Sequence, residues 1–597
     1  MADRYWVSGT AAWDGTAGSK WALTSGGAGG QAVPTAADDV FFSSLSTGTC
    51  TISAGNTDAK SINCTGHLGT IAGSTAISVA GSVTFVATQT LTYTGTITLT
   101  ATGTLTSGGQ TLGFVTVNGS GITVTLGDAL TLATTSTFTL TSGTLDLNGF
   151  TLSAGIFNSE NSNTRSIVFG TSNIALTSTA TSTIVLVMNT VTNFTYTGTG
   201  GFTRNQAATA TIRFGTTTGS ITNAPNMAIN AGASTLTITN NSWFNNLNFT
   251  GSTAFISGSA KVAGDLTIAS GGSYAGFTPI FVTTKTFISL GKSFSGIEIA
   301  GSGITVTLSD AVTVLSLLTL TQGTLDLNGF SLSAGVISST NSNTRAITFG
   351  SSNITLTNIS VGGTIISMAT ATGFTYTGTG GFIRNMVSNV TATFGSGGGS
   401  VTNAPNLTVN AGASALTITA NSWFNNLIFT GSTSTVTSTN VNIAGNLTLA
   451  SGGTYTAVSP TYRDTGTLTS SGTTLSALTV NGASIIVTCA DALATTGALT
   501  FTLGTLKLRQ SATSTVGSLV TSGTRLKYLE STSAGTQATI SDTTGTNTVT
   551  YLSIKDSNAT GGAVFDAIDP TNVNVSNNTG WDFGGGGGGG SFIAFFM

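Results

Sequence analysis

Residues 91–99 read Leu-Thr-Tyr-Thr-Gly-Thr-Ile-Thr-Leu, in which apolar side chains alternate with threonine on either side of a glycine. Successive side chains of a β-strand point to opposite faces, so this pattern predicts short strands with one buried face. Asn-Gly pairs at 148–149 and 328–329 are strong turn signals. A helical period with capping residues is absent from the sequence. The sequence therefore predicts an all-β fold.

A long block of sequence, about 180 residues, is written twice and then begun a third time. Residues 143–150 return as 323–330, and residues 241–247 return as 421–427. Long self-similarity is typical of extended proteins in which each unit contacts its neighbours along the chain. We therefore expect a fibre-like body rather than a protein built around one reactive cleft.

These patterns favour a repetitive, right-handed parallel β-helix (a β-solenoid) with tandem repeats of ~180 residues. We expect about 20 residues in each coil and a spacing of about 4.8 Å between coils. The alternative is a string of antiparallel β-sandwich domains, because period-two alternation occurs in those as well. Short strands with frequent single-glycine corners favour the solenoid.

Composition and repeat boundaries divide the chain into six predicted segments. The first contains Trp6, Trp13 and Trp21, three of the six tryptophans, and is predicted to be a cap or attachment module. The segments are an aromatic-rich module at 1–78, β repeat 1 at 79–261, β repeat 2 at 262–442, a truncated β repeat 3 at 443–520, a C-terminal β-helix end at 521–583, and a poly-Gly tether with a hydrophobic tip at 584–597.

The small number of charged residues argues against several classes of partner. Charged residues make up 6% of the 597 residues, against roughly 25% in ordinary globular proteins. The net charge is -3 and the basic residues are scattered, so we predict no nucleic-acid partner. Three cysteines and a single histidine lack metal-site spacing, and we predict no metal or cofactor. A Cys50–Cys64 disulfide is possible.

Both ends of the chain resemble known proteins. Residues 551–562 and 577–583 resemble the closing coils of repetitive parallel β-helix proteins from bacteria and their phages. Residues 5–9, two further tryptophans and a Gly-rich run into residues 34–39 look like the start of phage structural proteins of the fibre type. The matches cover about a fifth of the chain. The resemblance implies a virion fibre or spike, trimeric by analogy with phage spikes, and brings no catalytic residues.

Signals for export and membrane insertion are missing from the sequence. Residues 1–6 have neither a basic nor an apolar region of a secretory signal. The longest purely apolar stretch in the body of the chain is 184–188, far below the ~18 residues of a membrane helix. We expect no membrane span and a protein made in the cytoplasm that acts outside it, as a virion component released by lysis does.

Two arginines and one tryptophan recur in both full repeats, and they are the candidate contacts to glycans or subunits: Arg165, Arg345, Arg204, Arg384, Trp243 and Trp423. In an uncharged surface a repeated arginine can hold an anionic sugar or a neighbouring subunit. It can equally donate hydrogen bonds to loop carbonyls. A tryptophan ring suits the C–H face of a sugar, or it plugs a corner of the fold.

The final segment combines seven glycines, 584–590, with an apolar tip. A Gly-rich linker is flexible, whereas an apolar peptide is costly to leave in water. We predict that the tip docks in a groove on a partner, a sister subunit or its own rod, and the alternative is an unstructured tail. The docking side chains are Phe592, Ile593, Phe595 and Phe596.

Carboxylates bear on function because some phage spikes cut glycans with two carboxyl groups that face one bond. The aspartates that recur in register belong to the repeat rather than to one unique active site: Asp128, Asp310, Asp491, Asp146 and Asp326. We predict that they are turn or ladder residues and that the protein has no catalytic residues.

The sequence thus predicts a non-enzymatic structural component of a phage virion, a long β-rich fibre or spike that attaches to host-surface glycans. Its predicted partners are other virion proteins through the N-terminal module, a host-surface glycan or receptor, and further copies of itself. The alternatives are a bacterial extracellular adhesin or filament subunit and, less favoured, a tailspike that degrades polysaccharide.

Overall fold

The computed structural model describes residues 2–55, 57–230, 232, 234–251, 255–410, 415–431 and 435–585. Within these ranges the chain is all-β without a helix, and its strands build β-solenoid turns, about 25 in all. The predictions of an all-β fold and of a β-solenoid are confirmed. Contacts divide the chain into two units, Met1–Ser295 and Gly296–Met597.

Most of the strands are short. The first 32 in chain order are β1 (Asp3–Trp6), β2 (Ala11–Trp13), β3 (Trp21–Ala22), β4 (Asp39–Phe41), β5 (Thr49–Ile52), β6 (Asp58–Ala59), β7 (Ser61–Asn63), β8 (Thr70–Gly73), β9 (Ile77–Val79), β10 (Val83–Thr84), β11 (Thr90–Tyr93), β12 (Thr96–Leu99), β13 (Gly103–Thr106), β14 (Thr111–Leu112), β15 (Phe114–Leu126), β16 (Leu130–Leu132), β17 (Thr137–Asp146), β18 (Leu152–Ala154), β19 (Ile156–Asn158), β20 (Arg165–Gly170), β21 (Asn173–Leu176), β22 (Thr183–Met188), β23 (Phe194–Gly198), β24 (Gly201–Arg204), β25 (Ala210–Phe214), β26 (Asn226–Ile229), β27 (Thr235–Phe244), β28 (Leu247–Phe249), β29 (Phe255–Val262), β30 (Leu266–Thr267), β31 (Ser273–Phe281) and β32 (Lys285–Phe287).

Most of the remaining strands are short as well. They are β33 (Ser293–Ile299), β34 (Thr305–Leu308), β35 (Val312–Leu320), β36 (Gly323–Asp326), β37 (Leu332–Ser338), β38 (Arg345–Gly350), β39 (Ile354–Leu356), β40 (Gly363–Thr370), β41 (Phe374–Gly378), β42 (Gly381–Arg384), β43 (Val390–Gly397), β44 (Asn406–Val409), β45 (Ala415–Ile418), β46 (Ser422–Phe424), β47 (Leu427–Phe429), β48 (Thr435–Ile443), β49 (Leu447–Thr448), β50 (Thr454–Tyr462), β51 (Gly466–Thr469), β52 (Leu478–Cys489), β53 (Ala498–Leu508), β54 (Thr513–Thr515), β55 (Ser518–Thr521), β56 (Lys527–Ser531), β57 (Ala538–Ser541), β58 (Thr546–Thr548), β59 (Leu552–Lys555), β60 (Ser557–Thr560), β61 (Val564–Asp566), β62 (Val573–Ser576) and β63 (Trp581–Asp582).

In the first unit, strands of successive turns pair side by side and in parallel. One such column, which crosses β4, β7, β10, β13 and β15, consists of Val40, Ile62, Val83, Leu105 and Leu126. Each side chain is buried, and consecutive members follow one another at an almost constant interval along the sequence. Every turn therefore adds one apolar layer to a continuous core.

The second unit repeats this construction. Its column across β42, β44, β47, β49 and β51 consists of Phe382, Leu407, Leu427, Leu447 and Leu468, all buried. The step along the chain from Phe382 to Leu407 is longer than the steps that follow it, because the loops between the strands differ in length.

The turn of about 21 residues is the structural period, close to the ~20 residues assumed for one coil. The period of ~180 residues remains a repeat of sequence and is not confirmed as a period of the structure. The alternative of antiparallel sandwiches is wrong, because the ladders in both units run parallel. Antiparallel pairing does occur between β1 and β3, where Trp6 faces Trp21.

The predicted Asn-Gly turns are confirmed. Asn148 and Gly149 have φ angles of 49° and 83°, and Asn328 and Gly329 have 48° and 84°. Two successive positive φ angles are what Asn-Gly adopts most readily in tight turns. The Nδ2 atom of Asn148 also donates to the carbonyl of Leu126 at 3.1 Å, so the Asn-Gly turn is hydrogen-bonded to the preceding turn of the solenoid.

Aromatic side chains fill the core near the N-terminal residues. The ring of Trp21 meets the rings of Trp6 and Trp13 edge to face, with 5.1 Å between centroids in both pairs. All three are buried. The column that includes Ile62 and Val83 continues across the predicted boundary at residue 78. The six segment boundaries stay predictions.

Close stacking of the turns leaves no room for side chains at some glycines. A Cβ atom added to Gly380 would lie 1.7 Å from the carbonyl oxygen of Ser352 on the adjacent turn. We expect Gly380→Ala to lower the free energy of unfolding by about 1–3 kcal/mol, measured by urea unfolding with far-UV circular dichroism. In Gly397→Ala the new Cβ meets nothing closer than 3.7 Å. An equal loss in this control would contradict the explanation.

Candidate functional site

Arg165 begins β20, and its side chain is buried against the loop that precedes it. Its Nε donates to Ser159 Oγ at 2.7 Å and Nη2 donates to the Ser159 carbonyl at 3.0 Å. Nη1 donates to the carbonyls of Asn163 and Thr192, both at 2.8 Å, and Nη2 also donates to that of Thr190 at 2.5 Å. The guanidinium thus joins loops of two successive turns, and all five of its N–H groups have an acceptor.

Arg345 makes the same contacts in the second repeat. Its donors reach the Ser339 hydroxyl and carbonyl and the carbonyls of Asn343, Thr370 and Thr372. Its Cζ atom lies 6.0 Å from the ring centroid of Phe374. Sequence identity within the repeat therefore extends to identical local contacts.

Arg204 and Arg384 occupy a second buried position, at the ends of β24 and β42. Arg204 Nη1 donates to the carbonyls of Leu176 and Ser178 at 2.9 and 2.8 Å. Arg384 Nη1 donates to the carbonyl of Leu356 at 3.0 Å. Burial lowers the pKa of both side chains, that of Arg204 to about 10, so the guanidinium stays charged at neutral pH.

The four candidate arginines are therefore about 1% exposed or less. Their guanidinium groups are therefore not accessible to a glycan or a neighbouring subunit at the surface. Of the two interpretations that the sequence left open, the geometry favours hydrogen bonds to loop carbonyls.

Trp243 is half-buried, and a cation lies over its ring. Lys261 is its partner in the next strand of the ladder, and Lys261 Nζ is 5.0 Å from the ring centroid. On the preceding turn, a Cβ added to Gly219 would lie 2.2 Å from Cδ1 of the indole. The ring is thus packed between two turns. Trp243 is only partly buried, so part of its side chain remains accessible from the surface.

Trp423 has the same arrangement with a different cation. Arg463 Cζ lies 6.0 Å from its ring centroid, and Arg463 Nε donates to Asn442 Oδ1 at 2.9 Å. Gly399 takes the place of Gly219 against the indole. A half-exposed ring with a neighbouring cation recurs in both repeats and is the arrangement best suited to a surface contact.

Asparagines next to these tryptophans form ladders that the sequence analysis missed. Asn226 Oδ1 accepts from Asn245 Nδ2 at 3.0 Å and from the Asn246 backbone N–H at 3.1 Å. Asn406 accepts in the same way from Asn425 and Asn426. The signal available in the sequence was the Asn-Asn pair after each Trp-Phe.

Four of the recurrent aspartates accept hydrogen bonds from backbone N–H groups: Asp128, Asp146, Asp326 and Asp491. Asp128 accepts from the N–H groups of Ser107 and Gly108 at 2.7 and 2.6 Å, and Asp491 accepts in the same way from Ser470 and Ser471. The other recurrent pair, Asp146 and Asp326, accepts hydrogen bonds from the backbone N–H groups two residues further along the chain, as turn residues do. These contacts support the turn and ladder interpretation.

Cys50, Cys64 and Cys489 are free and buried, so the possible Cys50–Cys64 disulfide is not formed. Burial raises the pKa of each thiol, that of Cys489 to about 12, which keeps the thiols protonated and unreactive. His67 is buried as well, and burial lowers its pKa. Among the described residues no group of three or more His, Cys, Asp or Glu side chains could hold a metal ion.

The predicted docking tip, Phe592, Ile593, Phe595 and Phe596, lies outside the described residues. Its role stays a prediction.

We expect Arg345→Met to lower the free energy of unfolding by about 3 kcal/mol or more, because buried carbonyls lose their donors. Urea unfolding of the full chain measures the loss. Arg525→Met is the matched control, since Arg525 is exposed, and its effect should stay within about 0.5 kcal/mol. Unchanged stability of Arg345→Met would contradict this structural role.

Comparisons of the chain with protein-family models, with curated proteins and with solved structures find no match. No helix within the described ranges is long and apolar enough to cross a membrane. The candidate site therefore rests on the geometry of the chain itself.

Proposed function

We propose that the protein is a non-enzymatic structural component of a phage virion, a fibre or spike that attaches to glycans on the host surface. The observation that carries the proposal is the β-solenoid with an almost uncharged, hydroxyl-rich exterior. Thr98, Thr116 and Thr139 illustrate it, because they face one another on three successive turns and all remain partly exposed. Stacked turns place such groups about 4.8 Å apart.

Rows of identical polar groups suit attachment through many weak contacts. Each contact is weak, but contacts made together by one body, and by several copies, gain affinity through effective concentration. Within this scheme Trp243 and Trp423 are the proposed sugar contacts, because their rings remain partly open beside Lys261 and Arg463, which lie over them.

Attachment to other virion proteins is assigned to the aromatic-rich N-terminal module, in keeping with its resemblance to phage fibre proteins. The edge of β1 is covered there by antiparallel β3, so this strand does not offer an open edge to a further copy. Association with further copies of the same chain completes the proposal.

Electron microscopy of the purified protein beside intact particles from the same source tests this function. We expect elongated appendages on the particles that match the purified protein, with an antibody to residues 1–78 labelling close to the particle. Open-ended polymers without any particle would contradict the proposal and favour a bacterial filament subunit.

We expect no release of new reducing ends when the protein is incubated with host capsular polysaccharide. The physical reason is that the recurrent aspartates with defined contacts, such as Asp128, are engaged by backbone N–H groups of the fold. Heat-denatured protein is the control for background hydrolysis. Release of reducing ends by the native protein, lost in an aspartate-to-asparagine variant, would establish a polysaccharide-degrading tailspike instead.

A further inference from the structure

The second unit carries an apolar surface patch on one side of its solenoid. Six large apolar side chains stand exposed there, with 52, 41, 64, 81, 36 and 63% of their surface open in chain order. The apolar patch is defined as Leu315, Leu317, Ile359, Val361, Met386 and Val387.

Strand register shows that these residues lie within four adjacent turns. Leu317 on β35 faces Val336 on β37. On the same strand Ala334 faces Leu356 on β39, which in turn faces Arg384 on β42. The loops that follow β39 and β42 carry the other four patch residues, so the patch crosses four adjacent turns.

Part of the patch is concave. A groove of about 390 Å³ is lined by three apolar residues, Leu315, Val336 and Ile359, and by Gly335 and the polar residues Ser316, Thr357, Asn358 and Ser360. This mixture of apolar and uncharged polar groups, beside protruding apolar side chains, suits a partner with the same chemistry.

The first repeat offers an internal comparison, because the polypeptide around the patch is nearly duplicated. Residues 195–202 and 375–382 are identical, for example, and border the patch loops in sequence. Yet the first repeat has small or polar residues at the six corresponding positions: Ala133, Thr137, Thr179, Thr181, Gln206 and Ala207. The fold therefore does not require apolar side chains there.

An apolar patch that the fold does not require points to a contact, since exposed apolar surface is unfavourable in water. The exposed parts of the six side chains amount to roughly 600 Å², at the upper end of apolar patches on monomers. A standard interface buries about 800 Å² on each partner. The patch is thus large enough to form most of one side of an interface.

Charge restricts the identity of the partner. Between Leu315 and Val387 the charged residues are Asp326, Arg345 and Arg384, and both arginines are buried. An apolar and uncharged partner surface therefore matches the protruding side chains. A second copy of the same patch satisfies both requirements without a like-charge contact.

We propose that the apolar patch is an interface between two copies of this chain, which meet patch to patch about a two-fold axis. Such an isologous contact needs a self-complementary surface, and an apolar, uncharged patch supplies one. The inference is independent of the attachment function, because it concerns the oligomeric state alone. The trimer implied by the resemblance to phage spikes would need a different contact.

Sedimentation analysis of the full chain tests the pairing. We expect the wild-type chain to be a dimer, and the variant Ile359→Thr/Val361→Thr/Val387→Ala to dissociate with a Kd on the order of 100-fold higher. These substitutions install the residues of the first repeat, so circular dichroism should be unchanged. The matched control, Thr179→Ala/Thr181→Ala, should leave the dimer intact.

A monomeric or trimeric wild-type chain, or a variant that still dimerises, would overturn the proposal. The tip at residues 592–596 of a second copy is the competing occupant of the patch. Dissociation of the dimer by Phe592→Ser/Phe596→Ser would therefore also overturn patch-to-patch pairing.

Cross-linking gives a second readout that does not depend on the triple variant. Single substitutions Ile359→Cys, Val361→Cys and Val387→Cys place a thiol in the patch, whereas the three native cysteines are buried. With copper-catalysed air oxidation we expect a disulfide-linked pair for at least one of them, because residues close to a two-fold axis meet their own equivalents. No linked pair at any position would contradict the two-fold contact.

Discussion

The parallel hydrogen-bond ladder between successive turns is the constraint on which the rest of this protein depends. It fixes the spacing of the turns, and it places residues of like chemistry above one another in columns such as Val40, Ile62 and Val83. Apolar columns form the core, while threonine columns form the exterior. Close stacking also explains glycines such as Gly380, where a side chain would collide with the backbone of the adjacent turn.

Loops at the corners of the turns cannot use the ladder, and their buried carbonyl groups need other donors. Arg165 and Arg345 meet this need, because a single guanidinium supplies five N–H groups to the loops of two turns. Asparagine ladders at Asn226 and Asn406 serve the same purpose nearer the surface. Several of the few charged residues are therefore buried arginines that donate hydrogen bonds to loop carbonyls, and the exterior carries few charges.

Duplication of the sequence kept these internal contacts and changed the surface. The arginine contacts and the Asn-Gly turns recur in both full repeats, whereas the apolar patch occurs in the second repeat and is polar or small in the first. A scaffold that tolerates surface change suits both proposals. Under the proposed function the hydroxyl-rich rows make many weak contacts to glycans, and under the proposed pairing the patch contacts a second copy.

Local chemistry allowed the sequence alone to determine the all-β class and the Asn-Gly turns, because strand alternation and turn preference act over short stretches of chain. Only the tertiary structure decided that the repeated arginines are buried, that cations lie over Trp243 and Trp423, and that six scattered apolar residues form one patch. These features depend on which residues meet on adjacent turns. That register varies with loop length, since the step along the chain is shorter from Leu407 to Leu427 than from Leu356 to Arg384, and sequence periodicity does not fix it.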